Sequence, residues 1–153
     1  LELAAEKVLA HAADAKAELH MNDELKGKVA LVTGASRGLG RAIAVGLAAR
    51  GAKTALNYFG SPQLAEAGVR AITDAGGVAR AFKADVRDEA EVAKMVADVQ
   101  SAFGLIDILV LNATGPQPFI TIDKLTWRSM LDQLEFFVKS PMLLVQQVLG
   151  QMK

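Results

Sequence analysis

Residues Val29-Ala30-Leu31-Val32-Thr33 form an apolar, β-branched run that passes at once into Gly34-Ala35-Ser36-Arg37-Gly38-Leu39-Gly40 and then into a helical pattern. A strand that turns this tightly into a helix leaves the chain few folds. The glycines allow the sharp turn and let a ligand approach the backbone closely. The free N–H groups and positive dipole end of a helix beginning near Gly38 favour an anion, and a pyrophosphate fits there. A dinucleotide is the expected guest. A Walker A loop would hold four residues between its glycines and then Lys-Ser/Thr, whereas five separate Gly34 from Gly40 and Arg41-Ala42 follows. The spacing G-x-x-x-G-x-G also differs from G-x-G-x-x-G.

From Lys28 onward the patterns alternate. Strands are predicted over 28–33, 52–57, 78–84 and 106–112, and helices over 38–50, 62–75 and 88–102, with Gly51 and Gly76-Gly77 closing the first two helices. The result is an α/β chain with a Rossmann-like, doubly wound parallel sheet, covered by helices on both faces and ending after the fourth strand and the helices that follow it. Residues 122–153 read as helical, and Ser140-Pro141 predicts either two helices or one kinked helix there. Residues 1–20 read as an accessory helix with a thin stripe of Leu1, Ala5, Val8, Leu9 and Ala12, and the chain thus divides into 1–20 and a Rossmann domain over 21–153. The first segment is an appended helix, a tag or the tail of a preceding domain.

In such a sheet the ligand lies beyond the carboxyl ends of the strands, so the last residues of each strand are the ones to inspect. The first strand ends in the glycine turn, with Gly34, Ser36, Arg37, Gly38, Leu39 and Gly40 as cofactor-binding candidates. The second ends in Asn57-Tyr58, with no acid before Glu66 to bind adenosine ribose hydroxyls. Arg37 could instead pair its planar fork with a 2′-phosphate, which favours NADP(H) over NAD(H). The third ends in Asp85-Val86, and Asp85 alternatively caps the next helix. The fourth ends in Leu111-Asn112-Ala113-Thr114-Gly115.

These motifs, arriving in order at four strand ends, resemble the short-chain dehydrogenase/reductase family over roughly Leu25 to Lys153, with 3-oxoacyl reductases the nearest general likeness. The resemblance implies that Asp85 accepts from the adenine amino group and that Val86 contacts the ring. It also matches Asn112, Ala113 and Thr114 to the family's Asn-Asn-Ala-Gly, although Leu111 stands at the first Asn and either Thr114 or Gly115 at the Gly. By the same resemblance the full-length enzyme would transfer hydride between a nicotinamide dinucleotide and a small carbonyl or secondary alcohol. A non-catalytic dinucleotide sensor or interaction module is the alternative.

The composition narrows the partners. The 17 basic and 17 acidic residues cancel, without a Lys/Arg block, so neither nucleic acid nor an anionic membrane is expected. Cysteine is absent, which removes disulfides and thiolate chemistry and fits a reducing, cytoplasmic location. The two histidines, His11 and His20, read as solvated, and no metal is assigned. Residues 1–20 lack the features of a signal or transit peptide, and the apolar runs are of strand length.

The family's proton-donating Tyr-x-x-x-Lys and the Ser of the preceding strand do not occur in these 153 residues, where Tyr58 is the single tyrosine. Nor does an Asn follow Asn112: counting from Trp127 puts Leu134 at the family's helical Asn, counting back from Gln151-Met152 puts Phe137 there, and Gln133 could hold a water in its place. No catalytic residue is therefore assigned, and Phe136 and Phe137 read as core or subunit-contact residues. Residues 1–153 are expected to show no dehydrogenase activity, since positioned acid catalysis is worth roughly 10²–10⁴-fold. They are also expected to form a homo-oligomer through the edge of the fourth strand or through the last helix. An NADPH-oxidation assay with small ketones and sedimentation of the chain check both.

Overall fold

The structure, a computed structural model, describes residues 23–117 and 119–152. The helix expected over 1–20, its boundary with the following domain, and His11 and His20 lie outside the described residues. The order is β1 (Val29–Val32), α1 (Gly38–Ala49), β2 (Lys53–Tyr58), α2 (Pro62–Thr73), β3 (Val78–Lys83), α3 (Glu89–Phe103) and β4 (Ile108–Val110). A single 3₁₀ turn (Ile122–Lys124) then leads to α4 (Trp127–Leu134), a π-turn (Glu135–Lys139) and α5 (Ser140–Val148). All ladders are parallel, in the order β3-β2-β1-β4. The doubly wound Rossmann-like sheet is thus the observed fold.

Alternation along each strand feeds two apolar layers. Leu31 and Ala55 face a core with Val92, Met95, Val96 and Val99 of α3 and Leu143, Leu144 and Val148 of α5. Val32 and Leu56 face the opposite layer, packed on Ala44 and Ala48 of α1 and Ile72 of α2. With apolar side chains committed to both faces, the central strands read as almost unbroken hydrophobic runs. The outer strand β3 carries Arg80 and Lys83, and Arg80 lies over the Phe82 ring at 5.7 Å, which leaves charge along that edge.

One sequence expectation is corrected and another is made specific. The strand expected over 106–112 is regular only from Ile108 to Val110. Ile106 is fully buried under α3 and α5, while the chain beyond Val110 leaves the ladder because Asn112 turns its side chain back onto β1. The helical region, expected as two helices or one kinked helix, consists of α4 and α5 joined through a π-turn with no break in the helical backbone. Helical dihedrals run through Leu134, Glu135, Lys139 and Ser140, and a five-residue π-turn widens the helix there. Pro141 has no N–H for the carbonyl of Phe137 and would crowd it in a regular helix; opening the turn just ahead of the proline relieves both problems.

The short β1–β4 ladder is pinned at both ends. At its start the Asp107 carboxylate accepts from Val29 N (2.9 Å) and Lys28 Nζ (2.9 Å), while Asp107 N donates to Val29 O (2.9 Å). The hydrogen bond from Lys28, then that from Val29, holds the Asp107 carboxyl below the usual carboxylate range. A carboxylate whose folded value is depressed stabilises above its unfolded value and loses that contribution as pH falls through the folded one. Asp107→Ala is therefore expected to lower stability by about 1 kcal/mol near neutral pH. The gap to the parent should shrink as the pH drops below about 4. Urea unfolding at a series of pH values measures it; a gap that widens in acid contradicts the assignment.

Candidate dinucleotide site

The carboxyl ends of all four strands open onto one cleft of about 800 Å³. At the end of β1, the Thr33 hydroxyl donates to Val110 O (3.1 Å) and accepts from the backbone N–H groups of Asn112 (2.9 Å) and Ala113 (3.1 Å). The Asn112 amide donates in return to Thr33 O (2.9 Å) and Gly34 O (3.3 Å). The two strand ends that flank the reversal in strand order are thereby held together.

The three glycines of the turn do different work. An added Cβ at Gly34 would meet Ala113 Cα at 2.8 Å, and one at Gly40 would meet Asn112 Nδ2 and Gly34 O at 2.5 Å each. These two let α1 and the β4 end close on the turn. Gly38 has φ +56° and nothing within 4 Å of an added Cβ, so its backbone faces open space. No side chain caps α1 and no acid stands in its first turn, which leaves the helix's positive end directed at the cleft. Ser36, the exposed Arg37 and Leu39, 69% exposed, line the same side.

Asn57 is buried. Its Oδ1 accepts from Gly34 N (3.2 Å) and its Nδ2 donates to Ala84 O (3.1 Å) and Phe82 O (3.4 Å), so the side chain ties β2 to β3 and to the turn. Tyr58 borders the cleft together with Phe59, Gly60 and Ser61, the last at the start of α2 with no capping bond from its side chain. At the end of β3, Val86 is buried and Asp85 is gripped by Arg87. Nε and Nη2 of the guanidinium reach the two carboxylate oxygens at 3.0 and 2.7 Å. The Arg87 hydrogen bond is the main cause that holds the Asp85 carboxyl below its usual range, and Asp85 remains an anionic acceptor. Asp85 does not cap α3; Asp88 does, accepting from Glu91 N at 2.9 Å.

At the end of β4, Ala113 and Thr114 complete the wall, and Leu111, at the position of the family's first Asn, is 45% exposed. Gln133 donates from Nε2 to Pro116 O (3.0 Å) and ties the loop after Gly115 to α4. Of Leu134 and Phe137, Phe137 lines the small cavity beside Asn112 and Thr114. Phe136 packs against the core and also faces the main cleft.

Twelve of the thirteen residues singled out in the sequence border this one cleft, and Gly38 lies between two of them. Arg87, Pro116 and Phe136 were not among them. The spacing Asp85-x-Arg87 was a readable signal for the first of these, because a side chain two residues on can fold back onto an Asp. Among the described residues no group of three or more His, Cys, Asp or Glu side chains is placed to hold a metal, and no helix is long and apolar enough to cross a membrane.

The sequence profile of the short chain dehydrogenases matches residues 28–153. A 3-oxoacyl-(acyl-carrier-protein) reductase of Staphylococcus aureus is 44% identical over 107 residues, which cover 69% of this chain and 44% of that protein. Versicolorin reductase 1 of Aspergillus parasiticus is 50% identical over 92 residues, 60% of this chain and 35% of that one. The chain thus spans less than half the length of these two relatives. A short chain dehydrogenase from Burkholderia cenocepacia, solved in complex with NADP, superposes with a TM-score of 0.78 at 40% identity, covering 84% of this chain and 52% of that structure. With the profile matched from residue 28 to residue 153, the chain belongs to the short-chain dehydrogenase/reductase family.

Proposed function

We propose that this chain is the cofactor-binding part of an oxidoreductase that exchanges hydride between NADP(H) and a small carbonyl or secondary alcohol. The observation that carries the reading is the open space before Gly38 at the uncapped start of α1, with Arg37 beside it and no acid at the end of β2. An NAD-selective site would set a carboxylate against the ribose hydroxyls, and the residues there are instead Asn57, with its side chain engaged inside the sheet, and Tyr58. The NADP complex of the Burkholderia relative supports the same cofactor.

Bound there, the nicotinamide dinucleotide supplies the hydride. The chain's own residues bind and orient it. The N–H groups at the start of α1 receive the pyrophosphate, Arg37 the 2′-phosphate, and Asp85, as an anion, accepts from a base amino group. Thr33 and Asn112 fix the spacing of the strand ends that the cofactor would straddle. The carbonyl's proton comes from outside this set, since neither Leu134 nor Phe137 can carry one. The Staphylococcus and Aspergillus relatives are reductases, which favours catalysis by the full-length protein over a sensing role. On this reading residues 21–153 form one domain, in a homo-oligomer located in the cytoplasm; the exposed apolar side chains Val138, Met142 and Leu149 support the oligomer.

Two titrations test the cofactor assignment. NADPH should bind more tightly than NADH, and Arg37→Ala should remove most of that preference, about tenfold or more for a charge-assisted fork on phosphate. Equal affinities in the parent would sink it. Gly38→Val should abolish binding of either dinucleotide by filling the space before α1, with circular dichroism confirming the fold. A folded variant with parental affinity would mean that the nucleotide binds elsewhere.

A further inference from the structure

Phe136 reaches the cleft from the π-turn, far along the chain from the other walls. Consecutive residues of a regular helix point about 100° apart. Here Phe136 and Phe137 both border the small cavity beside Asn112, and Phe136 alone of the pair extends into the main cleft.

The ring is held from two directions. The Arg87 guanidinium lies 4.7 Å from its centroid and is itself locked onto Asp85, with Glu135 Oε2 3.8 Å from Nη1. On another side the ring edge rests against the backbone of Gly115, where an added Cβ would lie 2.1 Å from Phe136 Cε2 and 2.5 Å from Cδ2. A cation fixed to the ring and a backbone with no side chain beneath it leave the ring one place to be. The ring lines the same cleft as Asp85 and Val86 at the end of β3, and Arg87 links it to Asp85.

We propose that Phe136 seats the adenine of the dinucleotide, with Arg87 and Gly115 acting as positioning residues that hold its ring at the mouth of the base site. This inference rests on the dinucleotide reading above and adds to it a residue of the last helix. Gly115 is then needed because of Phe136, and the two should be coupled: a methyl at 115 displaces the ring only where the ring is present.

The test is titration of the chain with NADPH and with 2′,5′-ADP, which carries the adenosine half alone. Phe136→Ala should weaken both ligands by the same factor, about tenfold, as expected for loss of one aromatic contact to a base. Phe136→Tyr should stay near the parent. Gly115→Ala should weaken both ligands in the parent and change nothing further in the Phe136→Ala background. Phe136→Leu, which keeps the packing on the core, is measured alongside, with urea unfolding of every variant. Parental affinity for 2′,5′-ADP in folded Phe136→Ala or Phe136→Leu overturns the inference, whether or not NADPH binding falls. A parent chain that binds neither ligand overturns the dinucleotide reading and this inference with it.

Discussion

The joint between β1 and β4 is the constraint on which the rest of the molecule depends. Only three residue pairs form its ladder, yet it marks the point where strand order reverses, and a crevice can open only between chains that leave the sheet in opposite directions there. One hydroxyl does most of the fastening. Thr33 accepts two backbone N–H groups and donates to a carbonyl, so all its hydrogen-bonding capacity is spent inside the joint. Asn112 adds two bonds in the reverse direction, and Asp107 closes the far end. A buried hydroxyl and a half-buried amide that satisfy one another's surroundings are costly to lose singly, which makes the joint cooperative.

Charge in the cleft is divided by position. The start of α1 offers backbone dipole and the Arg37 cation, whereas the end of β3 offers the Asp85 carboxylate, with Arg87 turned onto it. A ligand with phosphates at one end and an amino-bearing heterocycle at the other would meet complementary groups in that order. The opposite orientation would place phosphate against carboxylate.

The fold and most of the cleft wall were legible in the sequence because both depend on local rules. Apolar runs of strand length, helices closed by Gly51 and Gly76-Gly77, and a glycine turn after β1 each act within a few residues, and together they admit one topology. Asp85 was legible as a site residue and the spacing Asp85-x-Arg87 allowed its partner, but which rotamer Arg87 takes, and so whether its fork closes on Asp85, is not fixed by the spacing. The π-turn was not legible either. Proline at 141 signals a disturbance, but whether the helix breaks, kinks or widens depends on what α3 and the sheet do to the segment from the other side. β4 ends early for a similar reason: Leu111 has strand propensity, and the pull of Asn112 onto the β1 end overrides it.

Gly40 illustrates how differently the parts of one site can change over time. Any side chain there would strike Gly34 O and Asn112 at once, both of which are bound into the joint, so variation at 40 is paid for by the whole fold. Arg37 and Ser61, by contrast, stand at the rim with their side chains outside any capping bond, and Tyr58 is only partly covered. Descendants of such a chain are free to exchange one dinucleotide for another by drift at the rim, while the cradle beneath stays the same.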